Sequence, residues 1–272
     1  MADSKINLMN LVFFTQEDPF YVKIFFDEFL ENYPFPDEIK AIVISQSMAK
    51  KSVLKLARQM YNFYGVHNFT RVGLKYAYRK IMGRKRISSN GTAEKMKTYT
   101  LQQLAGAYGL NVIERSDLNS ENFRELIRKY DADLFISVAS SIIFKKDLIN
   151  IPRLDCINIH NAPLPKYRGM LPNFWQLYHG ETEAGITVHR IEEGIDTGDI
   201  ISQHFVQIET DDSLHDLIIK TKKEDAKIIM QVIEDYRNDQ ISYRKMEGEG
   251  SYFTFPTHED VREFRKRGNR LL

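Results

Sequence analysis

The chain has 272 residues, 43% of them apolar and 28% charged, with a formal net charge of +1. That is room for one large α/β domain with an ample core, and a near-neutral total points to no class of partner. The lone Cys156 excludes an internal disulfide framework and fits a reducing compartment; no apolar run is long enough to span a bilayer and no signal-peptide pattern opens the chain, so the expected location is cytoplasmic.

In chain order, Leu8–Phe14 reads as a first buried strand. Thr15-Gln16-Glu17-Asp18-Pro19 then starts a helix, with Asp18 as N-cap and Pro19 in the first helical position. Val22, Phe25, Phe26, Phe29 and Leu30 follow at helical spacing, and Tyr33-Pro34-Phe35-Pro36 ends the run. Ala41–Ser45 is the second strand, and strand–helix–strand order predicts parallel pairing through a right-handed crossover. The first turn has none of the glycines of a G-x-G-x-x-G fingerprint, which argues against a nicotinamide or flavin site there.

Residues 39–93 contain no Asp or Glu and twelve basic residues, interleaved with Tyr61, Phe63, Tyr64, Phe69, Tyr76 and Tyr78. Three readings fit the 50–86 segment: a solvated helical excursion, a docking face for an anion such as a nucleotide diphosphate, or a basic aromatic helix for an acidic membrane surface. Ser88-Ser89-Asn90-Gly91-Thr92 reads as the loop that closes it.

Tyr99–Tyr108 has a helical pattern ended by Gly109, Val112-Ile113 is a short strand, and Ser120 caps a helix reaching Tyr130. Asp133–Ala139 is a central strand continuing into the turn Ser140-Ser141-Ile142-Ile143; Lys145–Ile149 is a short helix, and Leu154–His160 a further strand. Pro172 opens a helix that Gly180 ends. Gly185–Ile191 and Ile200–Ile208 form an antiparallel hairpin, so the sheet is mixed at that end. Thr210–Ser213 caps a long amphipathic helix carrying Leu214, Leu217, Ile218, Ile228, Ile229, Val232 and Ile233. The tail is polar and aromatic, with Phe253-Thr254-Phe255-Pro256 as a docking candidate. The expected division is a catalytic domain over 1–208, with residues 50–98 inserted in it, and a C-terminal helix and tail over 209–272. No second full domain is expected.

Asn158 and His160 alternate with Ile159, so they share one face of a strand that stops at a loop bounded by proline and glycine. Asp196 lies between Gly194 and Gly198, in a loop able to fold back toward His160. Taken singly, the first two are a polar pair at a strand end and the third a carboxylate capping its own turn. Together they suit acyl transfer without a covalent intermediate. The amide donates to a carbonyl oxygen, a protonated imidazole stabilises the charge growing there, and the carboxylate raises the pKa of the histidine and assists proton transfer. There is no G-x-S-x-G elbow, Cys156 sits in an apolar strand, and the other histidines lack metal-ligand spacing, so no metal is expected.

Asn158-Ile159-His160, Leu164-Pro165-Lys166-Tyr167-Arg168-Gly169 and Gly194-Ile195-Asp196-Thr197-Gly198-Asp199 resemble, in order and gap, three motifs of the 10-formyltetrahydrofolate-dependent formyltransferases. The resemblance runs from about Ala132 to Gln203. It implies a Rossmann-like, mostly parallel twisted sheet flanked by helices, with the hairpin near the active site. It implies Asn158, His160 and Asp196 as the catalytic trio. It places the pterin of 10-formyltetrahydrofolate near Ser140, Ser141, Ile142, Ile143, Glu192 and Ile195, beside Pro163, Leu164 and Pro165. Asn173 and Trp175 would line the acceptor side, and Lys166 and Arg168 would meet the sugar phosphates of the acceptor or the folate tail, or face water. Members acting on methionyl-tRNA carry a sizeable C-terminal domain, and those acting on glycinamide ribonucleotide a Gly- and Ser-rich first turn unlike Thr15–Pro19. Shorter members acting on nucleotide-linked amino sugars fit better, which makes a nucleotide sugar the expected acceptor, with methionyl-tRNA, another small amine or a non-catalytic folate- or anion-binding role as alternatives. A homodimer is an open expectation, and the resemblance assigns no role to the basic insertion.

Overall fold

The computed structural model describes residues 7–16, 18, 20–46, 53–83, 98–140 and 142–272, with no side-chain account of 53–56. Strand β1 (Leu11–Gln16) leads to helix α1 (Val22–Asn32), and a single 3-10 turn precedes β2 (Ile39–Ser45). The long α2 (Val53–Gly83) is two helices in sequence, because Gly65 at φ +72° and ψ 170° breaks it. Then come α3 (Leu101–Ala107), β3 (Val112–Arg115), α4 (Glu121–Arg128), β4 (Leu134–Val138), α5 (Lys146–Ile149) and β5 (Asp155–His160). The second half holds β6 (Arg168–Gly169), α6 (Pro172–His179), β7 (Glu183–Arg190), β8 (Ile200–Gln207), α7 (Leu214–Arg237), β9 (Tyr252–Phe253) and α8 (His258–Lys266).

The main sheet runs β3-β2-β1-β4-β5-β7-β8. Its first five strands are parallel, and β7 and β8 add the antiparallel hairpin. The expected parallel pairing of the first two strands and the mixed edge are both present. Strand order reverses between β1 and β4, so the crevice beyond their carboxyl ends is where an open α/β sheet binds ligands. Thr15 ties the two ends together by donating to Val138 O at 2.7 Å.

Alternation along β1 sends Phe13 to one face and Val12 and Phe14 to the other. On the first face Phe13 packs edge-on against Phe26 and Phe29, beneath α1, α3 and α7. On the second, Phe14 meets Phe123, Phe135 and Phe144 below α4 and α5. Cys156 belongs to that second core, where burial pushes its thiol pKa up, so it packs as a small apolar residue. A third cluster gathers Phe174 of α6, Phe63 of α2 and Phe264 of α8.

Helix capping largely follows the sequence. Ser120 accepts from Phe123 N, and Ser213 forms a capping box with Asp216. The first helix differs. Its N-cap is Tyr21, with no side-chain cap, and Asp18 instead accepts from Phe20 N and Tyr21 N in the turn ahead of it. That turn starts the helix three residues later than a cap at Asp18 would. Pro19, the Ser88–Thr92 loop and the basic residues Lys50, Lys51, Arg84, Lys85 and Arg86 lie outside the described residues.

Residues beyond β8 pack on the sheet domain rather than apart from it. In α7, Ile228, Ile229, Val232 and Ile233 join the α1 core. Its last turn is anchored where Arg237 meets the buried Glu38 at 2.7 Å. Farther on, β9 pairs with β6, Arg168 opposite Tyr252 and Gly169 opposite Phe253. Gly169, at φ +97°, has no room for a side chain: a Cβ there would sit 2.3 Å from Phe253 O.

Candidate active site

The carboxyl end of β5 carries Asn158 and His160 on one face, while Ile157 and Ile159 turn into the α1 core. The loop after β7 returns to that end and brings Asp196 with it. Asp196 Oδ2 lies 3.8 Å from His160 Nδ1 and accepts from Gly169 N at 3.0 Å. The structure therefore brings the three expected residues together, with the glycine of the Pro165–Gly169 loop as a further clasp.

A fourth group completes the cluster. His189 on β7 sits opposite Asn158 in the antiparallel register. Its Nδ1 donates to Arg190 O at 2.7 Å, which leaves Nε2 to accept from Asn158 Nδ2 at 3.1 Å. That same Nε2 stands 3.6 Å from Asp196 Oδ1. Metal-ligand spacing gives no sign of His189. Its cue is cross-strand register, which appears only once Gly185–Ile191 is paired against Leu154–His160.

His160 is fixed in the same manner. Its Nε2 donates to Tyr167 O at 3.0 Å, so in the neutral ring Nδ1 carries the lone pair and faces Asp196. Burial lowers the His160 pKa, and Asp196, the Tyr167 carbonyl and other nearby charges only modify that shift. Asp196 does push the pKa upward, but desolvation outweighs it. Burial also opposes ionisation of Asp196, yet the contact with His189, the charge that His160 takes on at acid pH and the Gly169 N–H overcome it and hold the carboxyl at about 2. At neutral pH the site is a neutral His160 beside an ionised Asp196.

The loops that carry these groups hold non-glycine residues in the left-handed region: Tyr167 at φ +58°, Leu171 at +51°, Asp196 at +51°, and Ala139 at +54° after β4. Such conformations cost of order 1–3 kcal/mol each and persist where the surroundings over-determine them. The surroundings here are a buried polar frame. Lys222 Nζ donates to Asn161 Oδ1 at 2.7 Å and to Asp225 Oδ2 at 2.6 Å, and Asn161 Nδ2 donates to Asp225 Oδ1 at 2.6 Å. Gln176 Nε2 donates to Asn161 O at 2.8 Å, and Thr187 Oγ1 to Ala162 O at 2.7 Å. The residue after His160 is thus pinned from α6 and α7. The cue in the sequence is that Thr221, Lys222 and Asp225 fall at apolar-stripe positions between Ile218 and Ile228.

The remaining expected residues divide. Ser140, Ile142 and Ile143 form the loop beyond β4, held by Asn119 Nδ2 donating to Ile143 O at 2.9 Å. Ser141 lies outside the described residues. Glu192 and Ile195 are exposed on the Asp196 loop, and Pro163, Leu164 and Pro165 line the turn after β5. Lys166 is exposed, and Arg168 Nε is buried without a hydrogen-bond partner among the described residues. Asn173 and Trp175 are corrections. Asn173 is buried and donates to Thr221 Oγ1 at 2.9 Å. Trp175 is buried, donates to Thr254 O at 3.1 Å and stacks on Phe253 at 4.6 Å. The α6 helix turns both into packing rather than toward the cluster. Among the described residues no group of three or more His, Cys, Asp or Glu is placed to hold a metal.

A family model described as "Formyl transferase" matches residues 66–233. The methionyl-tRNA formyltransferase of Agathobacter rectalis is 34% identical over 148 residues, covering 53% of this chain and 48% of the relative. The chain thus spans about half the length of the curated relatives it matches. The crystal structure of WlaRD, a sugar 3N-formyl transferase, superposes with TM-score 0.56 at 19% identity, covering 98% of this chain and 83% of that one. An N-formyltransferase from Helicobacter canadensis superposes with TM-score 0.57 at 19% identity, covering 94% and 80%. At those identities the likeness is one of fold.

Proposed function

Because the chain belongs to the formyl transferase family, we propose that it moves a formyl group from 10-formyltetrahydrofolate to a primary amine at the β5 end. The observation that carries this is the convergence of Asn158 and His160 from the end of β5 with Asp196 from a distant loop, inside the span that matches the family. The loops beside them suit a flat folate ring. Ile143 and Ile195 are 58% and 42% exposed, leaving apolar walls beside the polar cluster. Arg168 Nε, buried and without a hydrogen-bond partner among the described residues, offers an N–H to an anionic part of a ligand.

When bound, the folate supplies a formyl carbon activated for attack. Asn158 Nδ2 turns from His189 to donate to the formyl oxygen as charge grows on it. His160 Nδ1 takes the proton released by the attacking amine, and the ionised Asp196 stabilises the imidazolium that results. The same Nδ1 returns that proton to the departing folate nitrogen as the old carbon–nitrogen bond breaks. The 3.8 Å separation between His160 and Asp196 is longer than a hydrogen bond, as is common before a substrate tightens a site.

The acceptor we propose is an amino sugar carried on a nucleotide. Supporting it, the two sugar-modifying structures cover nearly all of this chain, and the Helicobacter canadensis protein was solved with folinic acid and dTDP-3-aminofucose. A methionyl group on tRNA is the second reading, favoured by the 34% identity to the Agathobacter rectalis enzyme. A panel of amines incubated with 10-formyltetrahydrofolate, with product read by mass, separates them. Formylated nucleotide amino sugar supports the first, and formylated methionyl-tRNA the second. Near-normal transfer by folded His160→Asn overturns the assignment of the site.

A further inference from the structure

The second segment of α2, from Val66 to Gly83, is an uninterrupted helix beyond the Gly65 break. Its inner side faces the domain. Tyr76 and Arg79 lie against Phe20, the arginine 5.1 Å from the ring centroid, while Met82 O accepts from Gln103 Nε2 at 2.9 Å. A Cβ at Gly83 would meet the Thr100 side chain.

The outer side is unusual in composition. At 100° per residue, Val66, Leu74, Ala77 and Ile81 fall within one stripe that also takes in Thr70, with His67 and Tyr78 at its edge, where the Tyr78 ring packs on Tyr99 at 5.8 Å. All are exposed: Val66 by 65%, Leu74 by 69%, Tyr78 by 53% and Ile81 by 62%, with Ala77 in the same class. Arg71 and Lys75 border the stripe on one side and Lys80 on the other, each exposed, although the Lys75 ammonium reaches to 5.8 Å from the Phe20 ring and the Lys80 ammonium to 5.8 Å from the Tyr76 ring. No acidic residue occurs anywhere in 39–93 to neutralise them. The Lys75 pKa is lowered, first by desolvation and then by Arg79 and Arg71, so the positive charges crowd one another. A stripe of Leu, Ile and Val framed by cations, over roughly 22 Å of helix, is the pattern of a helix lying in a membrane interface. No described helix is long and apolar enough to cross a membrane, so the attachment is peripheral.

We infer that residues 66–81 of α2 dock the protein on an anionic bilayer surface. The apolar stripe enters the headgroup region, and Arg71, Lys75 and Lys80 meet acidic lipid heads. The occupant follows from charge: a second copy of the same face would set cation against cation, and a nucleic-acid backbone has no use for exposed Leu74 and Ile81. The inference is independent of the formyl-transfer reading.

The test is co-sedimentation of the full chain with vesicles of phosphatidylcholine, with and without phosphatidylserine. Binding is expected only with phosphatidylserine and is expected to fall as salt rises. The double substitution Leu74→Gln and Ile81→Gln should lower the partition coefficient about tenfold, with an unchanged melting curve. Absence of binding to the acidic vesicles overturns the inference, as does equal binding by the double variant. So does a parent that is dimeric where the variant is monomeric, since the stripe then covers a second copy.

Discussion

Asn158 and His189 face each other across the β5–β7 ladder and join side chain to side chain, Nδ2 to Nε2, at 3.1 Å. One histidine thereby holds two groups of the site at once. It occupies the amide proposed to meet the formyl oxygen, and it stands 3.6 Å from the carboxylate beside His160. Replacing His189 by Leu removes both contacts from a side chain only 3% exposed. Misplacement of the Asn158 amide should cost roughly 10²-fold in kcat, with a smaller change in KM. His189→Gln keeps an acceptor for Asn158 and should recover part of the loss. Steady-state kinetics on the two variants check this, and equal kcat values for Leu, Gln and the parent would remove His189 from the site.

The His160–Asp196 pair sets the pH response. Burial lowers the His160 pKa, so the folded protein takes up that proton only below the ordinary imidazole range of about 6.5. If neutral Nδ1 is the proton acceptor, kcat/KM holds through neutrality and falls on an acid limb below pH ~6.5. Asp196 raises the His160 pKa against burial, so Asp196→Asn should move the limb still lower as well as slow the reaction. Stability runs in the same direction. Below the unfolded imidazole value the unfolded chain holds the extra proton, so each step down in pH costs stability until the folded value is reached. The Asp196 carboxyl, held at about 2, contributes stability that is present above the unfolded carboxylate range and lost as pH falls toward that value. An acid limb above the ordinary imidazole range would contradict the assigned roles.

Much of this was legible without coordinates, because the local signals agree with one another. Phe25, Phe26 and Phe29 at helical spacing, the Ser120 and Ser213 caps, and the alternation through Asn158 and His160 each specify an element and a face. The convergence of Asn158, His160 and Asp196 was legible for the same reason, each lying at a strand end or a glycine-bounded bend. His189 and Lys222 were not, because their roles depend on pairing between distant segments. Asn173 and Trp175 show the converse: adjacency to a motif does not fix which way a helix turns its side chains, and α6 buries both.

Lys222 offers a stability test of the frame. Its ammonium is shared between Asp225, which is 0% exposed, and Asn161. Lys222→Met leaves a buried carboxylate facing only the Asn161 amide and should cost about 3–5 kcal/mol. Adding Asp225→Leu removes the stranded charge and should restore much of that loss, although Asn161 is then held only from Gln176. Urea unfolding of the single and double variants reads the difference. An additive double variant would show that the two side chains do not work as a pair.

The turn after β5 depends on a close approach that a methyl group would prevent. A Cβ on Gly185 would lie 2.4 Å from Pro163 N and 2.6 Å from Pro163 Cδ, inside any tolerable contact. The same glycine donates its N–H to Gln176 Oε1 at 2.8 Å, so the strand is held where it is and the proline loop must give way. Leu164 N, which donates to Thr187 Oγ1 at 3.2 Å, moves with that loop. Gly185→Ala should therefore push Pro163–Pro165 outward while the parallel strands remain folded. If that turn lines the folate site, KM for 10-formyltetrahydrofolate should rise about tenfold with kcat less affected, because binding contacts are lost more than the trio is disturbed. An unchanged KM in a folded Gly185→Ala protein would place the folate elsewhere.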